Sequence, residues 1–213
     1  MQWVHDRFCR SVGNGRCYVA YVPAVDAHHL ARCDVPLRLY CFGIDRQSSL
    51  ALPETDGVRM AFVSAARLPG DMGLAGADAA CNAEGRLAFG SDRTFKAFLA
   101  TRGRSARSRL SLDGPTWARP DGVRLVDRAG DLRADRVLTS ISFYAFFDPN
   151  NPRNDHVNGG FVWTGAYVGI HCDSWQSAER TGSIAATTGV AEWLRSPWTR
   201  PCATRMSVYC FED

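Results

Sequence analysis

Arginine is the side chain of this 213-residue sequence with the most evident binding chemistry, since every basic residue except Lys96 is an arginine. Four of them fall within eight residues, separated by glycine, serine and alanine: Arg102, Arg104, Arg107 and Arg109. A guanidinium group donates two parallel hydrogen bonds to a sulfate, phosphate or carboxylate. The cluster therefore predicts an exposed cationic loop that binds a sulfated glycan or another polyanion. A solvated surface has the same composition, and a GC-rich bacterial genome also favours arginine, so those explanations stay open.

A second candidate binding segment mixes aromatic and cationic residues near the C-terminus. It consists of Trp193, Arg195, Trp198 and Arg200. Indole faces and guanidinium groups stack on one another and on sugar rings, which makes the segment a candidate glycan surface. The alternative is a hydrophobic loop that packs on a neighbouring cysteine bridge.

The metal-binding side chains of the sequence are scattered. The five histidines are His5, His28, His29, His156 and His171. A zinc site needs three or four convergent ligands, and adjacent residues of a strand point to opposite faces, so the pair at 28 and 29 is a poor chelate. The segment Asp148–Asn158 offers oxygen ligands for calcium, but its Asn, Asp and Pro residues are also ordinary turn formers. We predict no metal and no cofactor, and leave calcium at that segment open.

The sequence lacks the motifs of nucleophilic catalysis. It contains no Gly-x-Ser-x-Gly elbow, no phosphate-binding loop and no His-Glu-x-x-His. His171 precedes Cys172, but a bridged cysteine cannot serve as a nucleophile. We therefore predict a protein without catalytic residues, and keep a metal-dependent hydrolase as a less favoured alternative.

The eight cysteines form an even set without a Cys-x-x-Cys pair, which favours disulfides and an oxidising compartment, secreted or on a cell surface. Cysteine order alone leaves three pairings open for Cys81, Cys172, Cys202 and Cys210. No apolar run reaches the ~18 residues that span a bilayer, so no membrane insertion is expected. The net charge of +3 is mild and gives no indication of a nucleic-acid partner.

An internal repeat suggests the domain organisation. The segments Cys33–Phe42 and Cys202–Phe211 share an eight-residue cysteine spacing and end in Tyr-Cys-Phe. Residues 1–45 are therefore expected to be the truncated tail of a preceding related module. Residues 46–57 are rich in turn formers and predict a linker, which leaves 58–213 as the main domain.

Hydrophobic periodicity predicts two helices in the main domain. Residues 74–87 place Cys81 on an inward face, and residues 91–102 carry the i, i+3, i+4 stripe of Phe95, Phe98 and Leu99. Gly103 suits the left-handed position after a helix. Short strands are predicted at 58–64, 137–147, 161–165 and 207–211, with Trp163 and Trp175 in the core. The order of these elements indicates an α+β fold.

Five short motifs resemble, in their order, those of endostatin-like domains, which include collagen endostatin and bacterial endostatin-like surface proteins. They are Gly-Ala-Asp-Ala-Ala-Cys (76–81), Phe-Lys-Ala-Phe-Leu-Ala-Thr (95–101), Val-Trp-Thr-Gly (162–165), Cys-Asp-Ser-Trp (172–175) and Val-Tyr-Cys-Phe (208–211). The resemblance covers about Met60–Asp213. It implies a C-type-lectin-like domain with two helices, a mixed or antiparallel sheet of short strands, and the nested bridges Cys81–Cys210 and Cys172–Cys202.

The resemblance also implies a non-catalytic extracellular binding or adhesion module. Its expected partner is a glycan, a sulfated polysaccharide or a surface or matrix protein, and the chain is expected to be a monomer or one module of a tandem array. The zinc site of endostatin is not implied, because the matching stretch 59–73 has no histidine. The nested order, copied onto residues 1–45, predicts Cys9–Cys41 and Cys17–Cys33. The alternative function is a structural spacer without a ligand.

Overall fold

A computed structural model of the chain describes residues 57–134, 137–146, 160–165, 169–190 and 198–213, and the backbone of two strands at 16–18 and 30–32. The chain divides into two compact units, Met1–Ala51 and Leu52–Asp213. No helix among the described residues is long and apolar enough to cross a membrane.

In the first unit, strand β1 (Arg16–Tyr18) pairs antiparallel with strand β2 (Leu30–Arg32). The side chains of Cys9, Cys17, Cys33 and Cys41 and the linker segment 46–56 lie outside the described residues. Their predicted bridges and the predicted linker therefore stay predictions.

The second unit combines one long α-helix with eight short strands, counted over its described residues. The helix is α1 (Gly73–Phe89); the strands are β3 (Arg59–Val63), β4 (Leu68–Pro69), β5 (Phe95–Ala97), β6 (Trp117–Ala118), β7 (Phe161–Trp163), β8 (Thr181–Ala186), β9 (Thr199–Pro201) and β10 (Arg205–Glu212). Two 3-10 helices follow β5 and β6, at Ala106–Arg109 and Ala129–Ala134. The α+β class predicted from the sequence is confirmed.

Strand β10 is the centre of the sheet. It pairs antiparallel with β3, β4 and β5 and parallel with β7, so the sheet is mixed. The main path of the sheet runs β6-β3-β10-β7-β8-β9, with β6 parallel to β3 and with antiparallel pairs between β7, β8 and β9. A strand in this position must be apolar on both faces, which explains the Met-Ser-Val-Tyr-Cys-Phe run.

The sheet separates two hydrophobic clusters. Along β10, Tyr209 and Phe211 enter one cluster with Trp117, while Val208 and Cys210 enter the other with α1. These four residues of β10 are fully buried. Because successive side chains of a strand point to opposite faces, one strand contributes to both halves of the core.

The predicted helix at 91–102 is wrong: residues 95–97 form β5, which pairs with the end of β10. Phe95 and Leu99 enter one cluster, and Phe98 enters the other. All three are core residues, as predicted. A strand buried on both faces carries apolar residues at consecutive positions, and in so short a run this pattern also matches a helical stripe. Gly103 does have a positive φ of 74°, but it lies in a turn that closes the bridge between Thr101 and Arg104.

The predicted strand at 137–147 is also wrong over the residues that are described there. The segment 137–146 bridges the sheet once, from Tyr144 to Val63. Strand β6 pairs with the first two residues of β3, and Tyr144 reaches only its last residue, Val63. The segment instead buries Ile141 and Ala145 in the two clusters.

Two disulfides join distant parts of the second unit, and they are the pairs that the resemblance implies. Cys81 of α1 bonds to Cys210 of β10 across 129 residues, and we call this the helix–strand bridge. Cys172 bonds to Cys202 across 30 residues, and we call this the turn bridge. All four cysteines are fully buried.

Charged contacts fix the end of β10. Asp213 forms an ion pair with Lys96 and accepts a hydrogen bond of 2.6 Å from the backbone N of Ser111. Partial burial raises the pKa of Asp213, but these hydrogen bonds and the positive charges of Lys96 and Arg59 outweigh it, so the pKa lies below its usual value.

Candidate functional site

A left-handed turn is the most unusual piece of backbone in the described residues. Four consecutive residues, Cys172, Asp173, Ser174 and Trp175, have φ angles of 53°, 51°, 59° and 67°. Residues other than glycine avoid this region because Cβ approaches the following carbonyl oxygen, at a cost of roughly 1–2 kcal/mol per residue. Strained backbone of this kind persists only where the surroundings fix it, and it clusters at functional sites.

Buried contacts hold the turn in this conformation. The turn bridge anchors its first residue, and Trp175 buries its ring completely at the last. The indole N–H of Trp175 donates to the carbonyl oxygen of Ala100 at 2.8 Å, and its ring packs edge-on against Trp163 at 5.8 Å. These contacts offset the backbone strain.

Glycines make room for the turn bridge. A Cβ added at Gly70 would lie 2.6 Å from Sγ of Cys172, and one at Gly182 would lie 2.7 Å from the same atom. At Gly165 an added Cβ would lie 2.7 Å from the ring of Trp175. The turn is therefore packed closely on three sides, and its remaining side faces solvent.

That remaining side borders a groove of about 310 Å³. Its lining residues come from the loop after β5, from the turn and the three residues before it, and from the start of β8 with the residue before it: Arg102, Gly169, Ile170, His171, Cys172, Asp173, Arg180 and Thr181. Two arginines that are 78 positions apart in sequence thus meet at one concave surface. The groove is the candidate functional site.

Arg102 is paired within the groove. Its guanidinium lies 3.1 Å from a carboxylate oxygen of Asp173, and its backbone N donates to Oγ of Ser174 at 3.3 Å. The two side chains of the ion pair are 81% and 55% exposed. An exposed pair of this kind is worth about 0–1 kcal/mol, so a ligand can exchange with either partner at little cost.

His171 lines the groove, and a hydrogen bond fixes its ring. Its Nδ1 accepts a hydrogen bond of 2.8 Å from the backbone N of Ser174, so the neutral ring carries its proton on Nε2. Nε2 has no partner among the described residues and is not a buried unsatisfied atom, so it reaches solvent. The ring itself is nearly buried, which restricts its orientation.

Arg180 supplies the uncompensated charge of the site. Its backbone carbonyl accepts from Cys202 N at 2.8 Å, which fixes the chain at the mouth of the groove. Its side chain is exposed and pairs with no carboxylate in the described part of the chain. With Asp173 balancing Arg102, the groove carries a net charge of about +1.

The four clustered arginines do not form one cationic loop. Arg102 lines the groove and Arg104 is exposed. Arg107 donates to the carbonyl oxygen of Arg133 at 3.0 Å. The side chain of Arg109 is only 13% exposed and pairs with Asp78 of α1 at 2.6 Å. Arg109 therefore has a structural role, and of the four only Arg102 reaches the groove.

The second predicted segment is described in part. The ring of Trp198 is 42% exposed and contacts Phe161 edge-on, with centroids 5.4 Å apart. Arg200 is exposed in β9. Trp193 and Arg195 lie outside the described residues, so their role stays a prediction.

The described residues include no group of three or more His, Cys, Asp or Glu side chains placed to hold a metal ion. The segment 148–158, considered above as a calcium loop, and His5, His28, His29 and His156 lie outside those residues. Asp148 belongs to that segment, and its calcium binding stays open.

The sequence patterns did not indicate Arg180, Asp173 or the left-handed turn as parts of a site. Arg180 is isolated in sequence and reaches the groove only through the pairing of β8. An aspartate tolerates the left-handed region better than most residues, but the cysteine, serine and tryptophan of the same turn give no such indication. The sequence signal that could have indicated the turn was Cys172, the cysteine with which it begins.

Comparison of the chain with protein-family models found no match, and comparison with curated proteins found none either. The class that the fold and the site define is an α+β domain with two disulfides and a cationic groove. The function therefore has to be inferred from the site itself.

Proposed function

We propose that the chain is a non-catalytic extracellular binding module with a C-type-lectin-like fold, similar to endostatin-like domains. Its ligand is an anionic glycan or another polyanionic macromolecule of a cell surface or matrix. The two buried bridges support an oxidising compartment, because such bonds persist outside the reducing cytosol.

The five family-like motifs fall on structural elements that the fold depends on, which supports the family proposal. They occupy the first half of α1, strand β5 with the residues after it, strand β7, the left-handed turn, and the middle of β10. Each contributes a bridged cysteine or a buried aromatic residue. The resemblance thus coincides with the residues that close the core.

One observation carries the binding proposal: Arg102, Arg180 and His171 line one groove. Guanidinium and imidazole N–H groups are all donors, so the surface is complementary to a negatively charged group. The strained turn fixes the ring of His171 before a ligand arrives, which lowers the entropic cost of binding.

Heparin-affinity chromatography with matched variants tests the proposal. The double variant Arg102→Gln/Arg180→Gln is compared with Arg128→Gln/Arg205→Gln, which removes two exposed arginines that do not line the groove. We expect the groove variant to elute at clearly lower salt, because it loses specific charged contacts as well as charge. We expect the control variant to elute near the parent.

Two results would contradict the proposal. Equal shifts for the two double variants would mean that retention follows overall charge and not the groove. A parent protein that binds no member of an array of anionic glycans would contradict the binding function itself.

The alternative function, a spacer without a ligand, has one observation in its favour. The first and last strands of the main sheet pair, with Ala61 opposite Phe211, so the segments that enter and leave this unit lie together. That geometry suits tandem display on a larger protein. The same glycan array separates the two functions, since a spacer binds nothing on it.

A further inference from the structure

The volume of the groove limits what it can hold. At about 310 Å³ it lies at the lower end of the range for small-molecule sites, about 300–1,000 Å³. A groove of this size accommodates one sugar unit. If a glycan binds here, we expect one of its sugar units to occupy the groove.

The charges of the groove limit the ligand further. Arg180 and the Nε2–H of His171 are donors with no hydrogen-bond or ion-pair partner among the described residues, which suits one anionic group. Asp173 stands beside them and is already matched by Arg102 at 3.1 Å. A second negative charge on the same sugar would lie against this carboxylate, and like charges brought together oppose binding.

The same carboxylate is an acceptor for hydroxyl groups. Asp173 is 55% exposed, and when ionised it accepts hydrogen bonds and donates none. A sugar hydroxyl beside the anionic group can donate to it without breaking the pair with Arg102. Asp173 thus strengthens the binding of a sugar with a hydroxyl at this position and weakens the binding of a sugar with a second negative charge there. Other sites also use a repulsive group for specificity.

We propose that the groove prefers a sugar with one acidic group beside a free hydroxyl, and binds a sugar with several sulfates less tightly. The acidic group lies between Arg180 and His171, and the hydroxyl donates to Asp173. This inference rests on the proposed function and narrows its ligand. A uronate and a sugar monosulfate share this chemistry, and the experiment separates them.

Calorimetric titration of the full chain tests the inference with four probes: glucuronate, glucose 6-sulfate, glucose and a trisulfated heparin disaccharide. We expect the monoanionic sugars to bind about tenfold or more tightly than glucose, which lacks the charge-assisted hydrogen bonds. The tighter of the two monoanions identifies the acidic group. The trisulfated disaccharide should bind less tightly than the better monoanion.

The decisive variant is Asp173→Asn, because asparagine tolerates the left-handed region and leaves the turn intact. It removes the repulsive charge, so the affinity for the trisulfated probe relative to the monoanion should rise about fivefold or more. Arg180→Gln should weaken both anionic probes, and Arg128→Gln should change neither. Near-ultraviolet circular dichroism of the buried tryptophans checks that each variant is folded.

The outcomes separate the inference from the proposed function. If heparin retention depends on the groove arginines but Asp173→Asn leaves the probe ratio unchanged, the selectivity is wrong and the polyanion function stands. The selectivity is equally wrong if glucose binds as tightly as the monoanions. If no anionic probe binds and heparin retention is absent, both proposals fail.

Discussion

A pair of substitutions at one position of the left-handed turn tests the structural basis of the site. Asp173 has φ 51° and ψ 55°, and its side chain is 55% exposed. Asp173→Gly and Asp173→Ala both remove the ion pair with Arg102, so that loss cancels when the two variants are compared. What remains is the backbone preference of glycine against alanine.

The expected sign is opposite to that in an ordinary helix. Alanine in the left-handed region costs roughly 1–2 kcal/mol, which glycine avoids. Glycine loses more conformational freedom on folding, at a cost of about 0.5–1 kcal/mol. The glycine variant should therefore be more stable than the alanine variant by about 0.5–1 kcal/mol. At Ala83, exposed in the right-handed helix α1, replacement by glycine should instead lower stability by about 0.5–1 kcal/mol.

Urea unfolding with the disulfides intact measures both comparisons, and near-ultraviolet circular dichroism follows the buried tryptophans as the chain unfolds. In thermal unfolding, the melting temperatures of Asp173→Gly and Asp173→Ala should differ by a few degrees. An alanine variant as stable as the glycine variant would refute a left-handed turn. The shape of the groove, which depends on that turn, would be refuted with it.

Three further predictions concern the core and the end of β10. Non-reducing peptide mapping should recover the helix–strand bridge and the turn bridge. Replacing both cysteines of one bridge by alanine should cost roughly 5 kcal/mol for the separation of 129 residues and roughly 3.6 kcal/mol for that of 30, so the reverse order of melting points would contradict the pairing. Gly182→Ala should destabilise by about 1–3 kcal/mol through overpacking, whereas Gly130→Ala, with open space at its Cβ, should not destabilise. Asp213→Asn should lower stability at neutral pH. Because the folded pKa of Asp213 is depressed, this difference should shrink as the pH falls below about 4, and a difference that persists in acid would contradict the assigned contacts.

Local patterns in the sequence were sufficient for parts of the fold. The helix around Cys81 was predictable from the helical spacing of its inward residues, and the strand at 207–211 from its β-branched and aromatic residues. The fate of Phe95, Phe98 and Leu99 as core residues was also predictable. Their secondary structure was not predictable, because a strand buried on both faces lacks the alternation of apolar and polar residues that distinguishes a strand from a helix.

The site was less predictable, because its residues meet through long-range pairing. Clustering in sequence suggested that Arg102 and Arg109 belong to one binding surface. Arg109 instead pairs with Asp78 of α1, and its side chain is largely buried. Arg180 joins Arg102 only because β8 is placed beside β7 in the sheet. Such contacts depend on the complete topology, which no short window of sequence contains.

The central position of β10 has a consequence for the order of folding. Its paired residues in β3, β4, β5 and β7 lie 45 or more positions earlier in the chain, so none of these strands can complete its pairing while the chain is still emerging. The thiol of Cys81 likewise cannot form its bridge until Cys210, 129 residues later, has been synthesised. We therefore expect this unit to fold after synthesis of residue 212 and slowly, as proteins with many distant contacts do. Until then its earlier cysteines remain exposed to incorrect oxidation, and disulfide isomerisation becomes part of its maturation.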